Sequence, residues 1–166
     1  VQQLLDELKM THIDHNILFS YNRVIKACVA DGLWQEALDL ISNMIVRDIS
    51  PDVATYTTAI DACGKAGQWQ KALLLMDDMV VEGINPNEFT YCCAITACGA
   101  AGEWRKALDL VDSLLEANIP LNDVLYNAAI DACARAGQDA KALHLIAQME
   151  ADANIQPDLL TYNYGL

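Results

Sequence analysis

The sequence predicts an all-α fold built as a solenoid of stacked helix–turn–helix units. Two observations carry that expectation. The tetrapeptide Ile-x-Ala-Cys recurs at 25–28, 60–63, 95–98 and 130–133, a step of 35 residues each time. Around each copy other residues keep the same step: Tyr21, Tyr56, Tyr91 and Tyr126 before it, Gly32, Gly67, Gly102 and Gly137 after it, then Ala37, Ala72, Ala107 and Ala142. A fixed period between about 20 and 50 residues marks supersecondary units that each pack on their neighbours. Apolar residues form 54% of the chain, enough for a continuous core through such a stack.

Taken in order, residues 1–17 read as the end of a preceding repeat, with Leu4, Leu5 and Leu8 at helical spacing. Complete repeats follow at 18–52, 53–87, 88–122 and 123–158, the fourth with one extra residue near Ala153, and 159–166 opens a further one. In the first helix Tyr21, Ile25 and Cys28 stand at i, i+4 and i+7, a single apolar stripe. The glycine that follows suits the left-handed position at a helix C-terminus, where the missing Cβ removes the steric penalty. In the second helix Trp34, Ala37, Leu38, Ile41 and Met44 continue the helical spacing. Trp69 and Trp104 open the next two second helices and Asp139 the fourth, so the tryptophans read as core. Pro51 and Pro86 end units, and Asp52 and Asn87 beside them can cap the next helix. The chain starts and stops inside a repeat and has no initiator Met, so it reads as a piece of a longer protein.

Composition narrows the chemistry. Four of the six cysteines hold one repeat register and the other two, Cys92 and Cys93, are adjacent on one helix; no Cys-x-x-Cys occurs. These read as small buried thiols rather than a metal or disulfide framework. His12, His15 and His144 have no counterparts between repeats. Asp77-Asp78 is too small a carboxylate cluster for a metal-dependent nuclease, and no His-x-Glu accompanies a Cys-x-x-Cys as a cytidine deaminase needs. No enzymatic activity, cofactor or metal is expected. No apolar stretch reaches the ~20 residues that span a bilayer, so no membrane partner is expected.

Two helix–turn–helix families have a period close to this one. The tetratricopeptide repeat runs to about 34 residues and carries its Trp and Tyr in helix one around Leu-Gly. Here the period is 35 and the Trp opens helix two. The sequence instead resembles the plain 35-residue pentatricopeptide repeat. The match lies in Tyr21-Asn22, Tyr126-Asn127 and Tyr162-Asn163, in Ala66-Gly67, Ala101-Gly102 and Ala136-Gly137, in the Ala-Leu of helix two, and in the closing Pro-Asp. It covers residues 18–166. The resemblance implies a right-handed α-solenoid that binds single-stranded RNA, one base per repeat, through a side-chain code.

Carried onto this chain, the resemblance makes the fifth and last residues of each repeat the base readers. These are Asn22 with Asp52, Thr57 with Asn87, Cys92 with Asn122, and Asn127 with Asp158, with Asn163 beginning a fifth position. It implies that Asn-Asp reads uracil and Thr-Asn adenine, giving 5′-U-A-N-U-3′, with Cys-Asn outside the regular combinations. The second residue of each repeat, Phe19, Ala54, Phe89 or Val124, would flank the base. Lys65 and Arg135 would meet phosphate, where the other two repeats have Ala30 and Ala100. The third repeat departs from the pattern in carrying its proline one place early, at Pro120.

The net charge of −13 opposes binding to a polyanion. It is unevenly placed. The first helices, at 20–31, 55–66, 90–101 and 125–136, hold four cations against three carboxylates, a net +1, which leaves −14 for the rest. A roughly neutral RNA face and an acidic outer face follow, with weak electrostatic steering. The resemblance implies a role in organellar RNA stability, processing or translation, in mitochondrion or chloroplast. The alternative is a protein scaffold inside an organellar ribonucleoprotein such as a ribosome, which the acidic outer face and the absent cations favour.

Overall fold

The structure is a computed structural model that describes residues 17–151 together with Gln3 and Ile155. The expected preceding repeat, the readers Asp158 and Asn163, and the opening of a fifth repeat lie outside the described residues. Among the described residues there are eight α-helices and no strand. They fall into two compact units, residues 1–86 and 87–166. The first holds α1 (Ile17–Ala30), α2 (Trp34–Val46), α3 (Val53–Lys65) and α4 (Trp69–Val81). The second holds α5 (Glu88–Ala100), α6 (Trp104–Glu116), α7 (Asp123–Arg135) and α8 (Asp139–Ala151). The first helix starts at Ile17, one residue before the expected start of the repeat, and buries that side chain.

Within the first unit α1 packs on α2 and on α3, α2 on α3, and α3 on α4; the second unit repeats the scheme from α5 to α8. Each first helix therefore meets its own partner and the neighbouring first helix. The stripe that does this is the one the spacing predicts: Tyr21, Ile25 and Cys28 are fully buried, and Ala37, Ile41 and Met44 are buried on α2, which packs against α1. Burying one such Ile or Met contributes roughly 1.5–3 kcal/mol. Every cysteine of the tetrapeptide is solvent-inaccessible, and burial pushes each of those thiols up, Cys98 to about 11. They are packing residues.

The tetrapeptide also closes its helix. The N–H of Leu33 donates to the carbonyl of Cys28 at 2.8 Å, and that of Gly32 to Val29 at 3.1 Å, with Gly32 at φ +74°. Gln68 to Cys63, Glu103 to Cys98 and Gln138 to Cys133 repeat the bond at 2.8, 2.9 and 2.9 Å. This is the paired closure in which a left-handed residue turns the chain and satisfies two orphan carbonyls. The second helices end the same way on Met44, Met79 and Leu114, which accept from Ile49, Ile84 and Ile119. There the left-handed residue is Asp48, Gly83 or Asn118. Asp and Asn visit that region because a short polar side chain bonds locally.

In the second unit two helices approach closely at Gly99 of α5. A Cβ built there would stand 2.7 Å from the Cβ of Ala132 and 3.0 Å from its Cα on α7. Small residues here let two neighbouring first helices come together.

Candidate nucleic-acid interface

The last residue of each of the first three repeats is the N-cap of the next first helix. Asp52 is extended, at φ −110°, and its carboxylate accepts from the Thr55 N–H at 2.8 Å. The Thr55 hydroxyl accepts in return from the Asp52 N–H at 3.2 Å, closing a capping box. Asn87 and Thr90 form the same box for α5, and Asn122 accepts from the Leu125 N–H for α7. At the starts of α3 and α5 the N3 N–H is thus satisfied by a side chain also expected to face RNA, and the N-cap N–H by the threonine hydroxyl.

In the first unit the two predicted readers of one repeat meet. Asn22, one turn into α1 and half-buried, donates from Nδ2 to Asp52 Oδ1 at 3.2 Å. Its Oδ1 accepts from the Thr55 hydroxyl at 2.5 Å, and that hydroxyl also lies 2.8 Å from Asp52 Oδ1. Burial alone would raise the Asp52 pKa. The bonds from the Thr55 N–H, the Thr55 hydroxyl, the Asn22 amide and the Ala54 N–H outweigh it and hold the carboxyl below the usual carboxylate range. Asp52 is therefore ionised at neutral pH and presents acceptors alone.

The other readers sit differently. Thr57 is buried in α3. Cys92 and Asn127, on α5 and α7, are half-buried. Asn87 is exposed at the start of α5. Asn122 donates its amide to the Glu88 carboxylate at the far end of its own repeat, a contact that sequence spacing did not suggest. Of the six thiols, Cys92 is the one not buried.

The flanking residues stand out from the surface. Phe19 and Phe89 are each 64% exposed, Val124 is 53% exposed and Ala54 is exposed. Inter-repeat packing does not account for side chains so open. Lys65 and Arg135 are exposed too, yet each is paired one turn back on its own helix. Lys65 Nζ lies 2.6 Å from Asp61, and Arg135 Nε lies 2.7 Å from Asp131. Both pairs follow from i,i+4 spacing and were legible in sequence as the x residues of two tetrapeptides, Asp61 and Asp131.

The tryptophans are a correction. As first residues of their helices Trp34, Trp69 and Trp104 are half-buried at the rim rather than core. Lys71 stands 4.3 Å from the Trp34 ring centroid, and Arg105 stands 4.8 Å from that of Trp104. Trp34 also lines a cleft of about 160 Å³ with Val29, Gly32, Ala62, Lys65 and Ala66. Among the described residues no group of His, Cys, Asp or Glu could hold a metal ion, and no helix is long and apolar enough to cross a membrane.

Comparison with known proteins agrees with this geometry. A family model described as "PPR repeat family" matches residues 18–65 and 51–100, one described as "PPR repeat" matches 89–119, and one described as "Pentatricopeptide repeat domain" matches 109–166. No curated protein matches the sequence. Among solved structures, the pentatricopeptide repeat protein PPR10 in complex with an 18-nt psaJ RNA element superposes with a TM-score of 0.85 at 29% identity, over 98% of this chain. PPR10 from maize gives a TM-score of 0.72 at 30% identity over 99% of this chain. The chain spans 24% and 23% of those two proteins. The PPR domain of Arabidopsis thaliana protein-only RNase P 1, in complex with tRNA, shares the fold at 18% identity, with a TM-score of 0.80 over 98% of this chain and 84% of its own. With family models matched from residue 18 to the end and the helix pairs to go with them, this chain belongs to the pentatricopeptide repeat family.

Proposed function

We propose that the chain binds single-stranded RNA with a sequence bias, about one base per repeat, and that its array favours 5′-U-A-N-U-3′. The observation that carries this reading is the Asn22–Asp52 pair. The Asn22 carboxamide, held by an ionised carboxylate, keeps its second N–H, which can donate to a carbonyl of uracil. Exposed Phe19 supplies a surface on which that base can stack. The likeness to PPR10, crystallised with an RNA element, supports the same class of ligand. Stacking contributes roughly 1–3 kcal/mol per base, so about four repeats bind RNA in the micromolar range after the strand is ordered. The chain then acts as one part of a longer array, without chemistry of its own, in organellar RNA stability, processing or translation.

A second reading, a protein scaffold in an organellar ribonucleoprotein, draws support from two features. Lys65 and Arg135 are neutralised by Asp61 and Asp131, and the second helices expose Val46 and Val81. Fluorescence anisotropy with labelled RNA carrying U-A-N-U, against a scrambled control, separates the two. Tighter binding of the first RNA is expected, and Asn22→Thr moves the first preference from uracil toward guanine. Equal affinity for both RNAs removes sequence reading, and no binding of either at low salt makes scaffolding the leading account.

A further inference from the structure

We infer that Thr55, which lies in the repeat after Asn22 and is no part of the expected code, is a positioning residue that sets uracil over cytosine at the first base. The inference rests on the RNA reading above and deepens it. A terminal carboxamide carries a donor and an acceptor that exchange places on half a rotation about its last bond. At the same place on their edges uracil offers a carbonyl, which accepts, and cytosine an amine, which donates. An Asn free to turn over would therefore match both.

Two neighbours hold Asn22 in one sense. Asp52 accepts from Nδ2 at 3.2 Å, and an ionised carboxylate repels the amide oxygen in the turned-over state. The Thr55 hydroxyl reaches Oδ1 at 2.5 Å and lies 2.8 Å from Asp52 Oδ1, so the two hold one edge of the amide between them. Thr55 is fully buried and is itself fixed by the capping box, so its hydroxyl cannot swing away. It carries one proton and takes one bond from the Asp52 N–H, which orients that proton toward the Asn22–Asp52 pair. The hydroxyl thus ties the helix cap to the reader.

The second unit offers an internal contrast. At the register of Thr55, 35 residues apart each time, stand Thr90 and then Leu125. Leu125 is fully buried like Thr55 but brings no hydroxyl, and the reader one repeat before it is Cys92, which has no two-faced carboxamide to orient. Asn122, which would assist Cys92, is instead held by Glu88.

The test uses Thr55→Val, which keeps the shape, and Thr55→Ser, which keeps the hydroxyl. Anisotropy titrations compare RNAs with uracil or cytosine at the first base, and separately at the fourth, with thermal melts beside them. The expected result is a uracil-to-cytosine ratio about fivefold lower in Thr55→Val, near the weight of one hydrogen bond, restored in Thr55→Ser and unchanged at the fourth base. A purely structural role would lower the melting temperature and weaken all RNAs alike, leaving the ratio intact; that outcome overturns the inference. Nitrogen-15 spectra of the Asn22 side-chain amide separate the remaining case. If the parent chain shows no uracil preference while its Asn22 amide resonances shift in Thr55→Val, the base-reading proposal fails and Thr55 holds a side chain that reads nothing. If those resonances do not shift, the positioning claim itself is wrong.

Discussion

Replacing Gly99 with alanine tests the helix approach on which the spacing of the second unit depends. Two effects oppose each other. Alanine is better than glycine by up to about 1 kcal/mol in a helix interior, and by less in the last turn of α5, where Gly99 stands. Against that, the new methyl would sit 2.7 Å from the Ala132 Cβ and 3.0 Å from its Cα, where ordinary contact begins at 3.4 Å. Neither of those atoms can rotate away, so α5 and α7 must part by several tenths of an ångström along their shared face. Overpacking a close-fitted interior costs typically 1–3 kcal/mol. The packing cost wins, with a net loss of about 1 kcal/mol, or about 2–4 °C in Tm for a chain of this size. Circular-dichroism melts measure it directly. The companion variant Ala132→Gly removes the nearer contact, so Gly99→Ala should cost less in that background, with a coupling of about 0.5 kcal/mol or more. A Gly99→Ala chain as stable as its parent, or more so, would refute the argument, since it would mean that the helix preference acts unopposed and the approach at Ala132 is not tight.

Two further outcomes follow from pairs described above. Asp61→Asn releases Lys65 from an exposed i,i+4 pair worth about 0.3–0.5 kcal/mol, so melting barely changes while RNA affinity rises; the salt slope of binding should steepen by about 0.7 for one added phosphate contact on a single strand, and an unchanged slope would show that Lys65 meets no phosphate. For Asp52, the folded pKa lies below the unfolded one. Its stabilisation is complete above about pH 3.9, the unperturbed Asp value, and is lost as pH falls through the folded value. Melts from pH 5 downward should therefore lose stability below about pH 3.9 in the parent but less steeply in Asp52→Asn, which keeps the cap without the titration; equal slopes would sink the assignment.

How much of this was legible in the residues depends on the range of the interaction. The period, the Tyr21–Ile25–Cys28 stripe and the left-handed glycines depend on spacing along one helix or one turn, and the structure has them where the sequence predicts. The caps at Asp52 and Asn87 were equally local. The partners of those caps were not. Nothing in a linear reading brings Asn22 to Thr55, because the contact crosses from one repeat to the next and depends on how two first helices are staggered. Asn122 and Glu88 are separated the same way, at opposite ends of one repeat. The tryptophans failed for a different reason: recurrence was read as burial, whereas a first residue of a helix sits at its rim whatever its size. Asp48 and Asn118 were missed because their side chains do not announce a left-handed backbone as glycine does.

The double duty of Asp52 has a consequence for how such an array can vary. One side chain starts a helix and, under the proposed reading, also faces a base. Any residue placed there must first be able to begin a helix, which leaves Asp, Asn, Ser, Thr and at some loss Gly. The vocabulary open to recognition is thus restricted by folding rather than by RNA. Changing a word in the message also changes the strength of the fold at that point, by about 0.5–2 kcal/mol when a good cap is lost. Rewriting several repeats at once would then erode the scaffold that holds the remaining letters in line.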